Sequence, residues 1–310
     1  MDFDWTMALG SFCVAIVVGL TGMGGGALMT PMLVTFFGVS PLAAVSSDLV
    51  AAAVMKPVGS FVHYRQGTID LRLVGWLCAG SVPAAFSGVL VARALGDGSG
   101  VEHFIQIAMG TALLLAAAGL VVRGIQSRRR DAALDGAEPG PVVVRPIPTL
   151  LVGVVGGLVV GITSVGSGSL IIVALLALYP ALRANQLVGT DLLQAVPLVF
   201  SAALGHLLFG DFRMEVTAAL LVGSVPGVYL GSKISSRAPG GLIRRFLAFV
   251  LVVSALKMFG LGVTQLAWAM VALAAISTAV WLTTRHRTTA RAPEPEAAPV
   301  RLADIGQAQK

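Results

Sequence analysis

Two long apolar stretches of this chain are broken by clusters of small residues, and the two breaks match each other. Residues 19–28 read GLTGMGGGAL and residues 161–170 read GITSVGSGSL, so that Gly19, Thr21, Gly24, Gly26 and Leu28 answer to Gly161, Thr163, Gly166, Gly168 and Leu170. The correspondence continues 143 residues apart: Asp48 with Asp191, His63 with His206, Gly67 with Gly210, Gly80-Ser81-Val82-Pro83 with Gly223-Ser224-Val225-Pro226, and Gly88 with Gly231. Backbone that leaves a helix inside a bilayer must find its hydrogen bonds in neighbouring protein or in cavity water. Paired interruptions at corresponding positions of two halves therefore point to a membrane transporter whose site lies at the breaks.

Composition agrees. The chain is 56% hydrophobic and only 12% charged, against roughly 25% charged residues in soluble domains, and its mean hydropathy is +0.88. Stretches such as 71–95 and 103–122 reach the roughly 20 apolar residues that cross a bilayer. A chain of 310 residues has room for about eight or nine such spans and none for a soluble catalytic domain. The net charge of +6 is concentrated at Arg128, Arg129 and Arg130 and at Arg285, Arg287, Arg291 and Arg301. Beside apolar spans, such clusters mark cytoplasmic loops rather than a nucleic-acid surface. Cys13 and Cys78 fall in apolar segments and read as buried thiols, not as a disulfide framework. The start, Met1-Asp2-Phe3-Asp4-Trp5, lacks the basic region of a signal peptide, so the first apolar segment is expected to be retained.

The pattern predicts an all-α polytopic membrane protein made of two four-segment repeats. Repeat 1 occupies 1–122, with segments 5–38, 41–63, 71–95 and 103–122, and a cytoplasmic linker follows at 123–146. Repeat 2 occupies 147–261, with segments 147–178, 187–208, 213–235 and 242–261. A further span is expected within 262–284, before a disordered cytoplasmic tail at 285–310 that is rich in Ala, Pro, Arg and Glu. If each broken segment dips into the bilayer and returns to the same side, the linker, the basic loop 233–245 and the tail all become cytoplasmic. Each half then makes three crossings, an odd number, and the second half is inverted relative to the first. The positive-inside bias favours this arrangement, with the N-terminus outside.

At the first break, Gly24, Gly25 and Gly26 stand where a continuous helix would suffer, each Gly costing about 1 kcal/mol relative to Ala in a helix interior. A helix resuming near Ala27 would aim main-chain N–H groups and the positive end of its dipole into the break, an arrangement suited to anions. The second break, Gly166, Ser167, Gly168 and Ser169, offers the same with hydroxyls added at Thr163 and Ser164. Close helix packing is the competing reading, since Gly22 to Gly26 and Gly157 to Gly161 are also GxxxG spacings. The duplication and the interleaved hydroxyls favour binding by Thr21, Gly24, Gly25 and Gly26 with Thr163, Gly166, Ser167, Gly168 and Ser169. A loose match of the first break to a dinucleotide fingerprint lacks the preceding strand that would give it meaning.

Asp48 follows the helix-start signal Ser40-Pro41 by about two turns, and Asp191 is similarly placed behind Asn185. Carboxylates at membrane depth are expensive and are functional candidates by default, the alternative being a buried hydrogen bond or a cap. Lys56 lies eight residues after Asp48, close to the same helix face, where the other half has Val199. It can neutralise Asp48 or bind an anion directly. His63 and His206 read either as interfacial helix-end residues or as proton relays. These four residues (Asp48, Asp191, His63 and His206) are the coupling or gating candidates.

In order along the chain, GLTGMGGGAL, MKPVGSFVHYRQGTID around Lys56, GSVPAAFSG at 80–88, GSGSL at 166–170, VGTDLLQA at 188–195 and GHLLFGDFR followed by GSVPGVYLGS resemble the sulfite exporter TauE/SafE family, also called the toluene-sulfonate uptake permease family. The resemblance covers about residues 8 to 260. It implies a multi-pass carrier of the bacterial inner membrane that moves sulfite or organosulfonates, with the lipid bilayer and a small anion as its partners. No cofactor and no metal are expected. The four His, at 63, 103, 206 and 286, form no H-E-x-x-H pair and no Walker A sequence occurs, so neither an intramembrane enzyme nor ATP hydrolysis is expected. The remaining alternatives are a carrier for another small anion, or a channel or carrier for a metal cation held by Asp48 and Asp191.

Overall fold

The computed structural model describes residues 4–21, 25–65, 70–96, 98–131, 143–179, 182, 184–235, 240–262, 264–268 and 270–271. Its main unit, Met1–Leu266, contains ten principal helices: α1 (Trp5–Thr21), α2 (Gly26–Phe36), α3 (Pro41–Arg65), α4 (Leu71–Ala94), α5 (Ser99–Asp131), α6 (Pro146–Thr163), α7 (Leu170–Leu178), α8 (Ala184–Phe209), α9 (Met214–Ser235) and α10 (Gly240–Met258). Among the described residues, α4, α6 and the stretches 99–122, 189–209 and 214–231 are long and apolar enough to cross a membrane. A second unit, Ala267–Lys310, is described only at 267, 268, 270 and 271. Most of the span expected within 262–284, and all of the tail, lie outside the described residues.

Both broken segments fold back on themselves. A Cβ added at Gly10, early in α1, would lie 3.2 Å from Met32 of α2 and 3.5 Å from the ring of Phe37, just past the end of α2. In the second half Tyr179, at the end of α7, accepts a hydrogen bond from Arg145 N, the residue before α6, at 2.7 Å and shares another with Thr149. Helices α2 and α7 have 11 and 9 residues, about 16 and 14 Å of rise. That is about half of the roughly 30 Å hydrocarbon core. The second reversal is made by left-handed backbone at Ser164 (φ 58°), Gly166 (φ 130°) and Gly168 (φ 106°), conformations that Gly adopts without steric penalty.

Close packing uses glycines elsewhere. Helix α4 lies on α6 and α1 on α9, so tightly that a Cβ at Gly80 or Gly88 would collide with the carbonyls of Leu150 or Leu158. One at Gly223 or Gly231 would collide with those of Ala8 or Ile16. Gly157 and Gly161 face the backbone of Ser81 and Ala85 in the same way, so the packing reading holds for that GxxxG pair. The touching residues ascend together, and each of these two helix pairs is therefore parallel. Helix α3 packs on α8 and α5 on α10, around a core that includes Leu49, Leu77, Met109, Leu113, Ile171 and Leu198. Outward-facing apolar residues such as Leu115, Val121, Leu151, Val155, Leu204 and Tyr229 are exposed, as a surface bathed in lipid requires.

Three expectations change. Helix α5 continues to Asp131, beyond the boundary at 122, because the Arg- and Gln-containing run that follows favours helix. Cys13 is exposed and Cys78 half-buried: an apolar segment in a membrane protein has a lipid face as well as a core face. Asn185 lies inside α8, which begins at Ala184, so it is not the residue before the helix.

Candidate functional site

Helix α3 carries the chain's polar residues into its interior. Asp48 is 2% exposed and Lys56 9%. The Asp48 carboxylate oxygen Oδ2 accepts hydrogen bonds from Thr30 Oγ1 of α2 at 2.9 Å and from Ser164 Oγ, in the second break, at 2.6 Å. Three residues further along that break, Ser167 Oγ accepts from the Lys56 ammonium. Gly26, the first residue of α2, lies against the Ser164 main chain so closely that a Cβ would collide with its carbonyl. The two breaks thus meet, and α3 clamps one of them with a carboxylate and a cation. Gly25 differs from its neighbour, since a Cβ there would find ordinary contact with Met29 and Met55 at 3.7 Å.

Donors in the second break divide into two sets. The N–H groups of Ser169, Leu170 and Ile171 all turn onto the Gly166 carbonyl at 3.1 to 3.4 Å, so the first turn of α7 caps itself. The N–H groups of Gly166, Ser167 and Gly168 have no acceptor among the described residues, although all three residues are buried. Buried main-chain donors without partners are rare in native proteins. The donors on offer therefore belong to the loop between the half-helices, not to the helix end that the sequence suggested. Thr163 Oγ1 donates to Val159 O at 2.7 Å and accepts from Val165 N at 3.1 Å, closing the end of α6. Ser169 is buried and its side chain makes no cap to α7.

Asp191, on α8 and 1% exposed, accepts from Gln194 Nε2 at 3.2 Å, and Gln194 Oε1 accepts from Ser81 Oγ at 3.2 Å. Asp48 and Asp191 are the buried carboxylates whose charges act on the Lys56 ammonium. His206 is fully buried rather than interfacial. Its Nε2 lies 2.8 Å from the Gly161 carbonyl and its Nδ1 2.8 Å from Ser46 Oγ. A carbonyl only accepts, so Nε2 carries a proton, and the ring ties α8 to the last turn of α6 and to α3 two residues before Asp48. The side chains of Thr21 and His63, and Gly24 altogether, lie outside the described residues. Sequence reasoning singled out Ser167, Lys56 and both carboxylates as functional. It missed Thr30, Gln194 and Ser46, hydroxyls and an amide of kinds common in any helix, and it left Ser164 out of the binding set.

The family described as Sulfite exporter TauE/SafE matches residues 7–258. Two proteins of Bacillus subtilis (strain 168), each described as a probable membrane transporter protein, are similar along most of their length. YjnA is 37% identical over 246 residues, 79% of this chain and 95% of that one. YdhB is 24% identical over 230 residues, 74% of this chain and 89% of that one. No solved structure gives a significant match. With a family match across nearly the whole membrane part, and apolar helices long enough to cross a bilayer, the chain belongs to the sulfite exporter TauE/SafE family and is a multi-pass membrane transporter.

Proposed function

We propose that this transporter is a secondary carrier that exports a small sulfur oxyanion, sulfite or an organosulfonate, across the bacterial inner membrane. The observation that carries the reading is the second break: the N–H groups of the buried residues Gly166, Ser167 and Gly168 have no acceptor among the described residues, and beside them a hydroxyl holds the Lys56 ammonium. Several N–H donors and one ammonium converging in a buried loop suit a tetrahedral or pyramidal oxyanion. Gly26 faces this loop from the other break, Thr163 and Ser169 flank it, and Thr21, Gly24 and Gly25 are proposed to complete the set. The membrane potential, inside negative, favours outward movement of an anion by about 2.3 kcal/mol per charge per 100 mV; a proton gradient is the other available source.

The alternating-access frame would be a pair of inverted repeats. Support comes from the two broken hairpins, from α1 parallel to α9 and α4 parallel to α6, and from the collisions at Gly80 and Gly88 that recur at Gly223 and Gly231. If successive helices alternate in direction, α1 and α6 point opposite ways, as inversion requires.

Purified protein in proteoliposomes should move sulfite or methanesulfonate, and Lys56→Met should abolish that movement. Movement of a divalent cation in place of either anion would favour the metal-carrier alternative and overturn this reading.

A further inference from the structure

Asp48 makes the hydrogen bonds that an anion at the loop would make. Its Oδ2 accepts hydrogen bonds from the Ser164 and Thr30 hydroxyls, and Ser164 belongs to the same loop as Ser167 and the N–H groups that have no acceptor among the described residues. The buried charges around the loop do not balance when all are ionised, since Lys56 stands against both Asp48 and Asp191. An arriving oxyanion would add further negative charge in a place screened from water, where like charges repel strongly.

We propose that Asp48 is the proton-binding residue of this carrier: anion binding displaces its carboxylate from the Ser164 and Thr30 hydroxyls, and Asp48 takes up one proton from solution as it does so. This rests on the anion-carrier reading above. The proton goes to the carboxylate, the two hydroxyl donors turn to the anion, and no other bond is made or broken. With Asp48 protonated, Lys56 stands against Asp191 alone, so the buried charges balance before the anion adds its own.

Among the described residues, the charged and polar groups around Asp48 come from its own helix and from the elements packed on it. Lys56 lies on its own helix. Helix α8 brings Asp191 and, through Ser46, His206. Helix α2 and the second break bring the hydroxyls of Thr30 and Ser164, and α9 brings Thr217, which donates to Ser47 O at 3.4 Å. Arg213, after α8, accepts a hydrogen bond from Ser47 through its main-chain carbonyl while its side chain pairs with Asp211 at the surface. Glu102 and His103 of α5 and Glu215 of α9 are exposed near the starts of their helices. Asp48 is the carboxylate whose bonds the anion must break. Asp191 accepts instead from Gln194. A dianion accompanied by one proton still carries a negative charge outward, so the membrane potential favours its export, whereas a singly charged sulfonate accompanied by one proton moves without net charge.

The test is calorimetry of methanesulfonate, whose charge is fixed across the working pH range, and of sulfite with its own titration subtracted. Each is run in buffers of different ionisation enthalpy. Wild type should take up about one proton per anion bound, and its affinity should fall by about tenfold per pH unit at high pH. Asp48→Asn should bind with no proton uptake and a flat pH profile, whereas Asp191→Asn should retain the uptake. Binding without proton uptake in wild type, or unchanged uptake in Asp48→Asn, overturns the proposal and leaves the anion-carrier reading standing. Failure of wild type to bind either anion overturns both. Should Asp48→Asn not fold, infrared difference spectra of wild type and Asp191→Asn decide: a protonated-carboxyl band must appear in both on adding the anion, and its absence from either overturns the assignment.

Discussion

Gly25 and Gly26 are neighbours with opposite requirements. Gly26 has the Ser164 carbonyl where a side chain would go, whereas Gly25 has helical dihedrals (φ −56°, ψ −34°) and room for a Cβ. Gly26→Ala is expected to lower stability by about 1–3 kcal/mol, the usual cost of forcing atoms into a packed interior, seen as a lower melting temperature in detergent. Gly25→Val should fold nearly normally, since its Cβ meets Met29 and Met55 at ordinary contact distance, yet weaken anion binding by adding β-branched bulk to the first break; unchanged affinity would remove Gly25 from the binding set. Ser167→Val, which takes the acceptor from Lys56, should weaken binding in the same way. Lys56→Met keeps the side chain's length and removes its charge. Loss of charge-assisted bonds worth about 1.5–3 kcal/mol corresponds to binding weakened by about tenfold to a hundredfold in calorimetry. Arg at this position should restore only part of that, its planar fork being a different donor geometry.

At the scale of elements, short helices that cannot cross a bilayer need something to pin them. For α7 the pin is Tyr179, whose hydroxyl meets Arg145 N and Thr149 at the start of α6. Tyr179→Phe should cost about 1–3 kcal/mol, since Arg145 N loses its acceptor in a half-buried place, and a lower thermal midpoint with normal anion affinity would show it. His206 braces the other end of α6. His206→Leu strands the Gly161 carbonyl and should destabilise by a similar amount. Lost transport at unchanged stability would instead favour the proton-relay role that the sequence left open for it. The hairpins themselves were legible as Gly clusters, because Gly is the weakest helix former after Pro. Their direction was not, for it depends on which side chains meet after the chain has turned.

For the whole molecule, sidedness follows from charge. The linker 123–146, the loop 233–245 and the tail should face the cytoplasm, with the N-terminus outside. Single cysteines placed in each loop of a Cys13→Ser, Cys78→Ser background should react accordingly with an impermeant thiol reagent. Replacing Cys13 matters in particular because it is exposed. Labelling of the 233–245 loop from outside intact cells would exclude the inverted arrangement.

Apolar runs, paired Gly clusters and charges at membrane depth are local properties, and they alone determined the helical membrane class and most segment boundaries, the end of α5 excepted, and singled out Lys56, Asp48 and Asp191 as candidates. The partners of those charges are not local. Thr30 and Ser164 lie 18 and 116 residues from Asp48, and Ser167 lies 111 from Lys56. Nothing in a hydroxyl residue's neighbourhood tells which helix it will face. That choice was made by packing: glycines at the α4–α6 and α1–α9 crossings let backbones touch, the two breaks were brought together, and the buried polar groups then took the partners within reach because leaving them unpaired costs more than any alternative.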